Sequence, residues 1–347
     1  MLIFLRNYWV GKMSNFKDLS LIVPCYNQEK YLLRFFNSIL RLNVKNIIIE
    51  IIFVNDGSND NTEKIIKSYL DQNNNNNISY RYLKQENSGV SSARNLGLVS
   101  ALGEYVWFVD PDDEIGFIDI DLVINRMREE DIEILLMGYD TVRSPSSIYS
   151  IRYNNLQYFP SKDFKYLLTS HTIESVWNKI FKKKLLIDHD INFMEKVSFA
   201  EDFFFIIKAF SESNKIFFSN INSYSYYINS NSLMGKYQND IKNLRYKIFE
   251  CYMNYCLIRK LDFTGITEIY IKDTFVSVVL NSMKKKDSKF FDIFLESRDT
   301  IKQCLNVVAE KKIKQKAYGC KDKFFKIMFN FKMYSLLIIF IMIFYSI

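Results

Sequence analysis

The chain predicts an α/β domain: a mostly parallel sheet with helices on both of its faces. Three observations carry that expectation. Apolar runs rich in β-branched residues alternate with segments of helical periodicity over residues 19–110. The runs are apolar throughout rather than at every second position, as strands covered on both faces must be. And three of the four runs end in a polar cluster: "PCYN" at 24–27, "NDGSND" at 55–60 and "DPDD" at 110–113.

Taken in order, "LSLIVPCYN" (19–27) reads as a strand stopped by Pro24 and Asn27. "EKYLLRFFNSILRL" follows as a helix, with Leu32, Leu33, Phe36, Ile39 and Leu40 at helical spacing. "IIIEIIFVND" (47–56) is the second strand, and "NDNTEKIIKSYLDQ" restarts a helix with Asn61 or Thr62 as its cap. The asparagine run at 73–77 is a solvated loop. "ISYRYLKQ" is the third strand, "SGVSSARNLGLVSAL" a helix and "EYVWFVD" the fourth strand. "IDIDLVINRMREE" then looks helical and "IEILLMGYDTV" extended. From there to about 235 the pattern is irregular, and helical periodicity resumes over 240–330. The corresponding organisation is a domain over 19–235, divided at about 115, then a helical region over 236–330 and a distinct tail over 311–347.

Composition narrows the chemistry. With 347 residues, 48% apolar and 16% aromatic, the chain can bury a sizeable core. Its five cysteines (Cys25, Cys251, Cys256, Cys304, Cys320) form no C-x-x-C pair, which points to a reduced compartment without a disulfide framework or zinc site. Only two histidines exist, His171 and His189, so acid–base chemistry falls to carboxylates. The net charge of +7 is confined to residues 311–332, which hold eight lysines and one aspartate, and the rest of the chain is neutral. No basic face is left over for nucleic acid, and none is expected as a partner. Nothing in residues 1–18 matches a leader with a small-residue cleavage site.

In open parallel sheets ligands bind beyond the carboxyl ends of the strands, where the three polar clusters fall. Asp110, Asp112 and Asp113 crowd three carboxylates into four positions straight after an apolar run. Like charges that close in an apolar surround disfavour ionisation unless something completes them. A strand-end acid such as Asp56 suits the N–H of a nucleobase. Of Asp110 and Asp112, one suits a ribose hydroxyl and the other a hard divalent cation on a diphosphate.

"LSLIVPCYN", "IIFVNDGSNDNT", "QENSGVSSARNLGL" and "GEYVWFVDPDDEI" resemble, in order and spacing, the signature of family 2 glycosyltransferases with the GT-A fold. The resemblance is strong over 19–115 and extends more weakly to "FAEDFFF" at 199–205. It implies a Rossmann-like nucleotide-sugar half over 19–115 and an acceptor half over 116–235. It further implies that Asp56 contacts the uracil, that Asn27 and Arg94 serve the nucleotide pocket, that Asp110 faces the ribose and that Asp112 takes Mn2+ or Mg2+. Asp202 would be the catalytic base, and Trp177–Asn178–Lys179 would shape the acceptor side. The implied chemistry is inverting transfer from a nucleotide donor, most simply a UDP-sugar, to a saccharide or undecaprenyl-linked acceptor. Its implied setting is bacterial capsule or O-antigen assembly.

Two rivals stand beside this reading. A nucleotidyltransferase of similar architecture would want a Gly-rich basic loop after the first strand, and "PCYNQEKY" has no glycine. A scaffold would bind a nucleotide-sugar or a partner without turnover. The tail "MYSLLIIFIMIFYSI" (333–347), fifteen residues without charge behind the lysine block, is short of the ~20 needed to span a bilayer. It predicts attachment to an anionic membrane surface, at the cytoplasmic face.

Overall fold

The computed structural model describes residues 17–73, 77–154, 156–158, 175–195 and 201–228, with isolated positions at 241, 243, 247–248, 277–279 and 281–282. The expected helical region over 236–330 lies almost wholly outside the described residues. So do the basic and apolar tail over 311–347, His171 and four of the five cysteines.

Four strands form the parallel block: β1 (Lys17–Cys25), β2 (Ile49–Asp56), β3 (Ile78–Gln85) and β4 (Gly103–Phe108). They lie in the order β3-β2-β1-β4. Their linking helices are α1 (Leu32–Ile39), α2 (Thr62–Gln72) and α3 (Val90–Ser100). Alternate residues of each strand feed different cores. Leu19, Leu21, Val23, Ile51, Phe53, Tyr105 and Trp107 pack with α1, α2 and α4 (Ile120–Glu129). Ile22, Ile52, Val54, Val106 and Phe108 pack on the opposite face with α3. That second face also receives α5 (Lys183–Asp188) and α6 (Glu201–Glu212). Two-sided burial is why β1, β2 and β4 read as largely apolar runs, interrupted by the buried Ser20 and Glu50, whereas β3 at the sheet edge is mostly half-buried and carries polar residues.

Beyond β4 the sheet changes character. It continues through β9 (Lys179–Lys182), β6 (Ile134–Ser144), β10 (Ile216–Tyr227) and β5 (Glu114–Ile115). β9 runs antiparallel to both β4 and β6, while β6 and β10 are parallel. Short strands β7 (Ser147–Ile151) and β8 (Leu156–Tyr158) pair antiparallel with β6 and β10. The parallel block is therefore as expected, but the whole sheet is mixed. Among the described residues, the region read as irregular holds four strands and two helices. β9 is only four residues long, and the register of β10 shifts between Ser219 and Tyr224, which breaks the two-residue period.

Because β1, β2 and β4 are parallel, their polar ends share one edge of the sheet. α3 presses on that edge through a small-residue contact: a Cβ on Gly97 would come 2.3 Å from Ile22 Cγ2, a buried atom on the central strand. Gly97→Ala is expected to cost about 1–3 kcal/mol by overpacking, more than the gain of up to ~1 kcal/mol in helix propensity. A lowered urea midpoint with unchanged slope would show it.

Candidate functional site

The site begins at Asp56, the last residue of β2. Its carboxylate is 3% exposed and already heavily used. Oδ1 accepts from Gln85 Nε2 at 2.7 Å and from the Ser88 backbone N–H at 2.8 Å; Oδ2 accepts from the Gly89 N–H at 2.9 Å. Gln85 sits directly across the ladder from Asp56. Gly89 is the residue before α3, so Asp56 fixes where that helix starts. Gly57, at φ +69°, lets the turn after β2 press on the same loop, because a Cβ there would meet Asn87 N at 2.7 Å.

α3 in turn aims Arg94. The guanidinium is 3% exposed and joins three carboxylates: Asp202 Oδ1 at 2.6 Å, Asp110 Oδ1 at 2.9 Å and Glu201 Oε1 at 3.3 Å. It also lies 5.2 Å from the centroid of the Phe193 ring. Phe193 is held by Asn95, whose side chain both donates to the Phe193 carbonyl at 2.9 Å and accepts its N–H at 2.8 Å. Burial alone would favour discharging Arg94, but Asp202, Asp110 and Glu201 outweigh it and lock the charge on. For Asp202 the balance differs. Burial raises its carboxyl above the usual carboxylate range; Arg94 pulls it back, while Glu201 and Asp110 push it up again. Asp202 Oδ2 accepts the Val176 N–H at 3.2 Å, which ties the base candidate to the Trp177–Lys179 segment.

The D-x-D turn is anchored from several sides. The Asp110 N–H donates to Tyr224 Oη at 3.0 Å. Asp113, 1% exposed, accepts the Tyr227 N–H at 2.8 Å, and burial with Asp112 and Asp110 nearby raises its carboxyl far above the ordinary range. The Asp112 carbonyl receives a hydrogen bond from Arg34 Nη2. Asp110 and Asp112 remain half-buried.

Of the residues singled out from the sequence, the structure brings Asp110, Arg94 and Asp202 together. Asn27, at φ +54° and exposed, joins the first two loops: its N–H donates to Ser58 Oγ at 3.0 Å and its Oδ1 accepts the Asn59 N–H at 2.9 Å. Trp177 is 7% exposed and stacks between Tyr224 (4.6 Å, 13°) and Tyr226 (5.4 Å, 11°). Through Tyr224 it braces the D-x-D turn, and the same segment reaches Asp202 through the Val176 N–H. Tyr224 and Tyr227 were not foreseen as site residues. They lie over a hundred positions from the turn that they hold, inside an aromatic stretch indistinguishable from core.

Asp110, Asp112 and Asp113 supply carboxylate oxygens, the donor type that hard divalent cations take. Among the described residues no group of three or more His, Cys, Asp or Glu is arranged to hold a metal by itself.

Residues 20–190 match the family model "Glycosyl transferase family 2". EpsJ of Bacillus subtilis, an uncharacterized glycosyltransferase, is 30% identical over 220 residues, 62% of this chain and 62% of EpsJ. TarS of Staphylococcus aureus, a poly(ribitol-phosphate) beta-N-acetylglucosaminyltransferase, is 31% identical over 201 residues, 57% of this chain and 33% of TarS. The chain spans less than two thirds of the length of these two relatives. The crystal structure of S. aureus TarS superposes with a TM-score of 0.53 at 28% identity, covering 67% of this chain and 39% of that one. TarS 1–349 in complex with UDP-GlcNAc gives 0.59 at 22% identity over 83% and 79%, a likeness of fold. By its strand-end motifs, its GT-A architecture and the match over residues 20–190, the chain belongs to glycosyl transferase family 2.

Proposed function

We propose that the protein is an inverting, metal-dependent glycosyltransferase. It moves one sugar from a nucleotide donor, a UDP-sugar, to a saccharide or lipid-linked saccharide acceptor during assembly of a bacterial surface polysaccharide. The observation that carries this is the Arg94 cluster, which joins the end of β4 to the start of α6. It sets a ribose-facing carboxylate and a base on either side of one cation. TarS, seen with UDP-GlcNAc, supports the donor class.

In this reading Asp56 keeps one lone pair on Oδ2 for a nucleobase N–H, since its other sites are taken. Asp110 accepts from the ribose, and Asn27 lines the first loop of the pocket. Asp112 holds Mn2+ or Mg2+, which when bound neutralises charge on the diphosphate. The acceptor hydroxyl approaches Asp202, whose Oδ1 is fixed by Arg94, and gives its proton to Oδ2. The acceptor oxygen bonds to the anomeric carbon from the face opposite the diphosphate. The carbon–diphosphate bond breaks, and its electron pair leaves with the nucleotide. Burial raises the Asp202 carboxyl above the usual carboxylate range, which makes it the stronger base for that proton.

The domain boundaries follow: catalysis belongs to residues 19–235, and the lysine block with the apolar tail brings the enzyme to the cytoplasmic face of the membrane. Among the described residues no helix is long and apolar enough to cross a membrane.

Calorimetry with UDP and Mn2+ should find that Asp112→Ala removes the metal-dependent part of binding. Asp202→Asn should keep binding and lower transfer by about 10²–10⁴-fold. A wild-type protein that binds UDP but releases no sugar from any UDP-sugar would favour the scaffold instead. Transfer needs the unprotonated carboxylate, so rate rises with pH through the Asp202 pKa. Glu201→Gln removes a neighbouring negative charge, lowers that pKa, and should move the acid limb of the rate profile to lower pH. Arg94→Met should cost about 3–5 kcal/mol in urea unfolding near neutral pH, because it strands buried carboxylates.

A further inference from the structure

Arg34, in the first turn of α1, carries no role in the family resemblance or in the reading above. Its contacts converge on the D-x-D turn from the side away from Arg94. Its Nη2 donates to the backbone carbonyl of Asp112. Its guanidinium carbon lies 3.7 Å from the centroid of the Tyr227 ring and 5.7 Å from that of Tyr31. Glu114, just after the turn, completes the arrangement: it accepts from Arg41 at 2.6 Å and from the Tyr227 hydroxyl at 2.9 Å.

The guanidinium is not placed for its ion pair. Nε is 3.8 Å from Glu114 Oε1, too long for a hydrogen bond, and is buried without a hydrogen-bond partner. A side chain still 31% exposed would ordinarily swing to satisfy that donor. Stacking on Tyr227 and the bond to Asp112 hold it where it is. Only a planar, forked cation stacks on a ring and donates in plane at once; an ammonium cannot.

Each position of the turn is therefore held by a separate contact. Tyr224 takes the backbone of Asp110, the backbone of Tyr227 takes the side chain of Asp113, and Arg34 takes the backbone of Asp112. We propose that Arg34 is a positioning residue for the metal carboxylate, fixing the backbone at Asp112 between α1 and β10 so that the Asp112 side chain faces the donor diphosphate. The inference rests on the reading of Asp112 as the metal ligand. It goes beyond that reading because it assigns the geometry of the ligand to a residue of the first helix.

Because Asp110 and Asp113 keep their own anchors, loss of Arg34 loosens one position and spares the others. The test uses the full chain, with Mn2+ and UDP titrated by calorimetry and free Mn2+ followed by electron paramagnetic resonance. Arg34→Met should weaken Mn2+ binding in the presence of UDP by about tenfold or more and leave metal-free UDP affinity unchanged. Transfer should show a raised half-saturating Mn2+ concentration with kcat near wild type at saturating metal. Arg34→Lys, which restores a donor without the stack, should fall between the two. Should Arg34→Met not fold, Tyr227→Leu, which removes the stacking surface, should weaken Mn2+ binding in the same way. Wild-type Mn2+ affinity in these variants would overturn the proposal, as would a loss of metal-free UDP binding by the same factor. Mn2+ binding that survives Asp112→Ala at wild-type affinity would instead overturn the reading of Asp112, and this inference with it.

Discussion

One buried cation organises the catalytic face. Arg94 sits among Asp110, Glu201 and Asp202 where solvent barely reaches, and neither sign of charge is tolerable there without the other. A pair of unit charges 4 Å apart at an effective dielectric of about 20 interacts by about 4 kcal/mol, so three partners comfortably hold Arg94 charged. The surplus of carboxylate over guanidinium leaves Asp202 the least settled member. The same imbalance that strains the resting cluster therefore equips it with a group ready to take a proton.

The route by which Arg94 reaches its place runs through the sheet. Asp56 ends β2 and grips the N–H groups that precede α3. α3 lies close against Ile22 because Gly97 has no side chain, and Asn95 on the same helix fastens the segment carrying Phe193. A residue at the end of β2 thus bears on the reach of a residue that touches the start of α6. Asp56 shapes the site by where it puts the helix, in addition to anything it offers a ligand.

Much of this was legible beforehand, and the limits of legibility have physical causes. β1, β2 and β4 announced themselves because burial on both faces leaves few polar residues, as in the fully buried run Ile49–Asp56, where Glu50, Asn55 and Asp56 are the exceptions; β3, at the edge, is mostly half-buried. The acids at their ends were visible because nothing else in an apolar chain explains three carboxylates after Phe108. Asp202 was singled out through the resemblance of "FAEDFFF" to the family pattern, and α6 begins at Glu201. What stayed hidden was pairing across long separations. β9 is too short to display a period, and β10 is interrupted by its register shifts. The anchors Tyr224 and Tyr227 are aromatic residues in a chain where one residue in six is aromatic, so composition masked them. Arg34 resembles any charged residue on an amphipathic helix until the turn beside it is seen.

The Tyr224 hydroxyl meets the Asp110 backbone across 114 positions of sequence. During synthesis the acidic turn leaves the ribosome long before the strand that braces it, and Arg94 emerges without Glu201 and Asp202. The nascent amino-terminal half is consequently a sheet with an unfinished rim, and the anchors of the acidic turn are complete only once β10 has paired with β6.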